Sequence, residues 1–149
     1  MSLEIVQGNL FDVEADCRVI TINLVGAMGA GVAKTARNTI PGLYTHYKKM
    51  YQQIDPTQFI TYKHDNMRYL LIPTKIDWKD KSPRDLVIAN INRLAVLANR
   101  HRFGTIVLPP MGCGNGGLDW FNDIQYVYKA IFVYHEAKFI VALGNLRSK

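Results

Sequence analysis

The stretch "VLPPMGCGNGGLDWFND", residues 107–123, carries an apolar run into two prolines, then places four glycines within six positions, then reopens as a helix-like segment from Asp119. A strand that ends in a loop and returns as a helix is the unit of an open α/β sheet, whose ligands sit where the strands end. Glycine takes positive φ cheaply and lets backbone N–H groups approach a ligand with no Cβ in the way. A second stretch repeats the pattern. "NLVGAMGAGVAKTAR", residues 23–37, leaves an apolar strand near Leu24 and runs through Gly26, Gly29 and Gly31 into a helix at Val32. Coupled to a helix N-terminus, such a loop is an anion site, above all for phosphate. Neither loop is a P-loop, because no Gly-Lys-Ser/Thr follows, and "GAMGAG" misses the G-x-G-x-x-G spacing of a dinucleotide fold. Two loops at equivalent strand ends predict a ligand with more than one phosphate.

Working outward, Leu3–Val6 and Cys17–Leu24 read as strands from their β-branched content. A helical pattern runs from Val32 to Ile40 and stops before Pro41-Gly42; Leu43–Ile54 forms a second, with Tyr44, Tyr47 and Tyr51 at core spacing. Residues 59–74 hold two β-rich runs around His64-Asp65-Asn66, a hairpin signal. Lys75–Ser82 is a polar loop apart from Ile76 and Trp78. Ser82 reads as the N-cap and Pro83 as the first residue of a long helix reaching about His101. Thr105–Leu108 is a buried strand, Trp120–Val133 a helix and Lys138–Leu143 a last strand. The fold class is therefore α/β: a three-layer arrangement with a mixed, mostly parallel sheet, one antiparallel hairpin and flanking helices, in a single domain over residues 1–149.

Composition bounds the rest. A chain of 149 residues with 48% hydrophobic and 20% charged residues is expected to be soluble and globular, with one core. No apolar run reaches the roughly 20 residues of a membrane-spanning helix and no leader is legible. Cys17 and Cys113 make no disulfide framework, so the expected compartment is the reducing cytoplasm. The four histidines lack ligand spacing, and neither a metal nor a cofactor is expected. The excess of 18 Lys+Arg over 12 Asp+Glu, +6 in all, favours an anionic partner but is equally a solubility charge.

"QGNLFDVEADCRVITINLVGAMGAGVA", "IPTKIDWKDKSP" and "LPPMGCGNGGLDW" resemble the macro domain, an ADP-ribose-binding module, over nearly the whole chain. The motifs are more similar to the DarG-type branch, which removes ADP-ribose from thymidine in DNA, than to the terminal ADP-ribose protein glycohydrolases. The resemblance implies that Gly29, Ala30, Gly31 and Val32, together with Met111, Gly112, Cys113, Gly114, Asn115, Gly116, Gly117 and Leu118, hold the diphosphate of ADP-ribose. Asn23 matches the asparagine near the distal ribose and is counted with Lys75 as catalytic, its amide offering donors and an acceptor to ribose hydroxyls. The alternative is that it ties its own turn together. Asn9, beside Leu10 in "GNLF", stands where many macro domains place an adenine-binding aspartate, and DarG-type sequences share the asparagine.

Lys75 of "IPTK" stands where both branches place a lysine acting at the anomeric carbon of the distal ribose. A lysine amine attacks carbon only when neutral; if charged, it instead stabilises a departing base. The terminal-glycohydrolase branch pairs its lysine with an aspartate at the position of Gly116, so the departure favours release from a nucleic-acid base over a protein carboxylate. Trp78 either stacks on a base of single-stranded DNA or forms a lid on the rim. Asp119 reads as a helix cap, and Cys113 is assigned no redox role. The expected protein is thus a monomeric ADP-ribosyl glycohydrolase acting on an ADP-ribosylated substrate, with single-stranded DNA as a further partner. The alternatives are an ADP-ribose 1″-phosphate phosphatase and a non-catalytic reader.

Overall fold

The computed structural model describes residues 2–146; Met1 and residues 147–149 of the expected domain lie outside them. Six strands pair into one sheet: β1 (Leu3–Val6), β2 (Cys17–Ile22), β3 (Ile60–His64), β4 (Met67–Pro73), β5 (Thr105–Leu108) and β6 (Lys138–Ala142). Their order is β1-β6-β5-β2-β4-β3, parallel throughout except for β3 against β4. That exception is the hairpin, whose turn residues Asp65 and Asn66 take φ of 49° and 67°. Asn and Asp tolerate this left-handed backbone better than other side chains, which is why the turn was legible without a glycine.

Because strand side chains alternate faces, the sheet builds two cores. Val19, Leu70, Ile72, Ile106, Leu108, Phe139 and Val141 pack against α3 (Arg84–His101) and α4 (Gln125–Phe132). Their neighbours Ile20, Ile22, Leu71, Val107, Ile140 and Ala142 pack against α1 (Gly31–Thr39) and α2 (Leu43–Met50). β2, at the centre, is buried on both sides, and each such aliphatic side chain contributes about 1.5–3 kcal/mol. The expected mixed α/β architecture is thus the observed one, with helices on both faces. Among the described residues, no helix is long and apolar enough to cross a membrane.

The ends of elements moved. The second helix turns to 3₁₀ geometry over Tyr51–Gln53, and the last begins with a π-type turn over Trp120–Ile124. Asp119 caps that turn by accepting from the Phe121 amide at 3.1 Å, as expected of it. Ser82 is not the cap of α3: Pro83 occupies that position without a side-chain bond. The backbone of Ser82 is drawn instead to the second glycine loop, its N–H donating to the Gly116 carbonyl at 2.8 Å.

Candidate functional site

All five parallel strands end on the same side, and their outgoing loops line one cleft of about 1240 Å³. Sheet order lays the lining out in a row: Asn9 and Leu10 after β1, Leu143–Leu146 after β6, Gly112–Gly116 after β5, Asn23 to Val32 after β2, and Thr74, Lys75 and Trp78 after β4. Four inter-strand spacings of about 4.8 Å make this row roughly 19 Å long. It suits an elongated ligand with different groups at its two ends. The glycine loops lie in the middle.

The first loop is fixed from beneath by Tyr47, fully buried on α2. Its hydroxyl accepts from the Gly26 N–H at 3.1 Å and faces both the carbonyl and Oδ1 of Asn23 at 2.8 Å. Burial pushes the phenol up to about 12, so it stays protonated and able to donate. Asn23 Oδ1 also accepts from the amides of Val25 (3.2 Å) and Ala27 (3.3 Å), while Nδ2 donates to the Ala27 carbonyl at 2.7 Å. The Asn23 amide therefore does tie its own turn, and the same side chain lines the cleft. Tyr47→Phe strands the buried Gly26 N–H, with an expected cost of about 1–3 kcal/mol read from urea unfolding, together with weaker ligand binding.

The loop delivers the chain to the N-terminus of α1. The first helical bond there is Lys34 N–H to Ala30 C=O, so the amides of Gly31, Val32 and Ala33 precede the ladder at the cleft wall. A Cβ on Gly31 would stand 3.2 Å from Asn115 Nδ2, which shows how closely the two loops approach. The second loop closes on itself through Leu118 N–H to Gly112 C=O (3.0 Å) and Gly117 N–H to Gly114 C=O (3.1 Å).

Three expected ligand contacts are not in the cleft. Met111 is fully buried among the α3 and α4 side chains, with its N–H bonded to the Tyr128 hydroxyl at 2.8 Å. Leu118 packs against the same core. Gly117, at φ +81°, caps the 3₁₀ turn beneath Lys81. They shape the loop from behind, Met111 and Leu118 being the points at which the chain leaves and rejoins the core on either side of it. The remaining expected residues, from Asn9 and Leu10 to Gly116, line the cleft. Asn9 does so with its Oδ1 already accepting from the Phe11 amide at 2.8 Å.

Lys75 joins the two sides of the distal end. Its Nζ donates to the Asn115 carbonyl at 2.9 Å and to the Trp78 carbonyl at 3.2 Å, tying the segment after β4 to the second glycine loop. Trp78, 58% exposed, stands on the rim. Gly116 is buried, and a Cβ there would lie 2.5 Å from Ser82 Oγ. That hydroxyl has no hydrogen-bond partner among the described residues. A side chain at residue 116 would therefore require the Ser82 hydroxyl to turn aside.

Cys113 lines the cleft, but burial, with Asp119 and Asp123 nearby, raises its thiol from 9.0 to about 12. The thiolate is the reactive form, so disulfide-reagent labelling at neutral pH is expected to be slow, accelerating only in alkali. The same shift makes the folded state hold its proton longer than the unfolded one, so this contribution to stability falls as pH rises from 9 toward 12. Among the described residues, no three His, Cys, Asp or Glu gather as a metal site would require.

Sequence reading missed the third loop, Leu143–Leu146, and with it Thr74, Pro109 and Pro110. The signal was present: Gly144-Asn145 follows a final apolar strand, and Gly144 takes φ +60° while donating to the Gly8 carbonyl at 3.1 Å. Only the sheet order, which sets β6 between β1 and β5, brings that loop to the cleft.

Known proteins resemble this chain in sequence and in fold. A DNA ADP-ribosyl glycohydrolase of Thermus aquaticus is 33% identical over 135 residues, covering 87% of this chain and 38% of its own length. One of Mycobacterium tuberculosis is 30% identical, covering 79% and 35%. The chain thus spans less than two fifths of either relative. Among solved structures, the macrodomain of Thermus aquaticus DarG superposes with a TM-score of 0.84 at 29% identity, covering 94% of this chain and 97% of that one. The Thermosipho africanus DarTG structure gives 0.90 at 20% identity, covering 99% of this chain and 43% of that one. The macro domain family model matches residues 19–126, and the chain belongs to that family.

Proposed function

We propose that this domain binds ADP-ribose along the cleft and hydrolyses its bond to a nucleic-acid base, with Lys75 acting at the anomeric carbon. The observation that carries the reading is the place of Lys75 Nζ. It sits at the end of the row opposite Asn9, beside the glycine loops and beneath the rim at Trp78. The adenosine end lies toward Asn9 and Leu10, the diphosphate against the amides of 31–33 and the 112–116 loop (where Cys113 N–H already bonds the Pro110 carbonyl), and the distal ribose between Asn23 and Lys75. Relatives named as DNA ADP-ribosyl glycohydrolases support the reaction, and a structure of this fold in complex with ADP-ribose supports the ligand.

Two routes fit the geometry. In the first, the Lys75 nitrogen bonds to the anomeric carbon as the carbon–base bond breaks; the electron pair leaves with the base, which takes up a proton. The resulting glycosylamine opens to an imine, its nitrogen's proton passing to the ring oxygen; water then hydrolyses the imine and returns the lysine. In the second, water attacks directly while the lysine, as ammonium, offsets charge on the departing base. Borohydride reduction during turnover distinguishes them, since only the first route leaves ADP-ribose on the protein.

Glycine at 116 favours a base over a carboxylate as leaving group, because the position where the resembled protein-directed branch carries an aspartate offers no carboxylate here. The test is incubation with a thymidine-ADP-ribosylated single-stranded oligonucleotide, followed by gel shift. Release of the unmodified oligonucleotide is the expected result. Phosphate release from ADP-ribose 1″-phosphate without it would make the domain a phosphatase. Binding with no product from either would make it a reader.

A further inference from the structure

Three of the six exposed large hydrophobic side chains among the described residues lie together beside the cleft: Val25, Ile76 and Trp78, each more than 40% exposed. They are joined through backbone, since the Leu24 N–H donates to the Ile76 carbonyl at 2.9 Å. The ridge continues away from the cleft onto α1 and α2. The Gly26 carbonyl, one residue past Val25, has Lys48 Nζ and the Tyr44 hydroxyl each at 3.4 Å. The Arg37 guanidinium lies 4.2 Å over the Tyr44 ring, and Lys48 stands about equally near the Tyr44 and Tyr51 rings at 5.8 and 6.0 Å. Lys34 shares a face of α1 with Arg37 by its i, i+3 spacing.

Asp77 and Asp80 flank Trp78 at the cleft end, whereas the α1–α2 part of the surface draws on a stretch without acids. From Cys17 to Ile54 the sequence holds no Asp or Glu, while it holds Arg18, Lys34, Arg37, Lys48 and Lys49. The ion pairs of the described residues, Glu4–Lys138, Arg84–Asp123 and His64–Asp65, all lie elsewhere. Cations that form no ion pair among the described residues, set beside the half-buried Tyr44 and Tyr51 rings and leading from the exposed Trp78 at the cleft edge, match a phosphodiester chain with unstacked bases.

We propose that Trp78, Ile76, Val25, Lys48 and Arg37 form a track for single-stranded nucleic acid, which holds the strand flanking the modified nucleotide. The track rests on the nucleic-acid reading of the cleft. A base stacks on Trp78 at the rim, and phosphates pass over the first glycine loop to Lys48, Arg37 and Lys34. The cations reach the strand without entering the ADP-ribose cleft.

The test uses a fluorescein-labelled, unmodified oligothymidylate and needs no catalysis. Its anisotropy is titrated with the wild type, Arg37→Gln, and Arg37→Gln/Lys48→Gln across a range of salt. Each lost phosphate contact lowers the salt slope by about 0.7 for a single strand, so the double variant is expected to lose about 1.4. Trp78→Ala is expected to weaken binding by about 5- to 150-fold. Affinity for free ADP-ribose and the melting temperature are expected to hold in Arg37→Gln, which keeps a variant available if the Lys48 change disturbs Gly26. Unchanged slopes in the charge variants overturn the track, as does stronger binding of polyglutamate than of oligothymidylate. Failure of the glycohydrolase reading looks different: the oligonucleotide binds with the expected slopes, but no ADP-ribose is released.

Discussion

Lys75→Ala is expected to lower release of ADP-ribose from the modified oligonucleotide by roughly 10²–10³-fold or more, while ADP-ribose affinity stays within a few-fold. The asymmetry follows from position. In the proposed reading the diphosphate lies against the two glycine loops, whereas Lys75 stands at one end of the cleft. Its side chain also braces the second loop through the Asn115 carbonyl, so Lys75→Arg is the companion variant. Arginine keeps a donor for the two carbonyls but never gives up its charge and cannot be the nucleophile. Activity retained in part by arginine identifies electrostatic help to the departing base; activity lost in both identifies the nitrogen as nucleophile. Turnover retained by Lys75→Ala sinks the mechanism. Single-turnover gel assays and calorimetric ADP-ribose titrations together give these readings.

Gly112→Val is the second large effect. Gly112 takes φ +78°, a conformation that costs a β-branched residue about 1–3 kcal/mol. Its Cβ would lie 2.7 Å from Leu118 Cδ1 and 3.0 Å from Val87 Cγ2, so the loop must lift off α3 to admit it. Overpacking of that kind costs about another 1–3 kcal/mol. The variant is expected to melt several degrees lower and to lose most ADP-ribose binding, because the displaced loop carries the amides of 112–116. Gly29→Ala is the control: Gly29 has no positive φ and nothing within 4 Å of a built Cβ. It is expected to melt like the wild type. If Gly112→Val binds ADP-ribose as tightly as Gly29→Ala, the second loop does not hold the ligand.

That contrast marks where sequence reading stops. Every glycine of "GAMGAG" and "GCGNGG" carries the same signal, whereas the structure separates Gly112, pinned by its φ and by Leu118, from Gly29, which stands in the open. Ser82 before Pro83 has the pattern of a cap, because capping is a local preference. A long-range bond to Gly116 won, with a separation in sequence that no local rule sees. Tyr47 was legible only as core spacing. Its role under Asn23 arises because α2 folds back beneath the first loop.

The sequence by itself determined the alternation of strands and helices, the hairpin at Asp65-Asn66 and the two glycine-rich strand ends, since each depends on periodicity and backbone preference within a few residues. Its motifs also singled out Lys75. Only the tertiary structure decided that β6 lies between β1 and β5, and so brings Leu143–Leu146 to the cleft. It alone turned Met111 inward to the core and set Lys75 Nζ against the Asn115 carbonyl, forty residues away. Strand order and loop contact are settled by which surfaces bury one another across the whole chain, and no local run of residues carries that information.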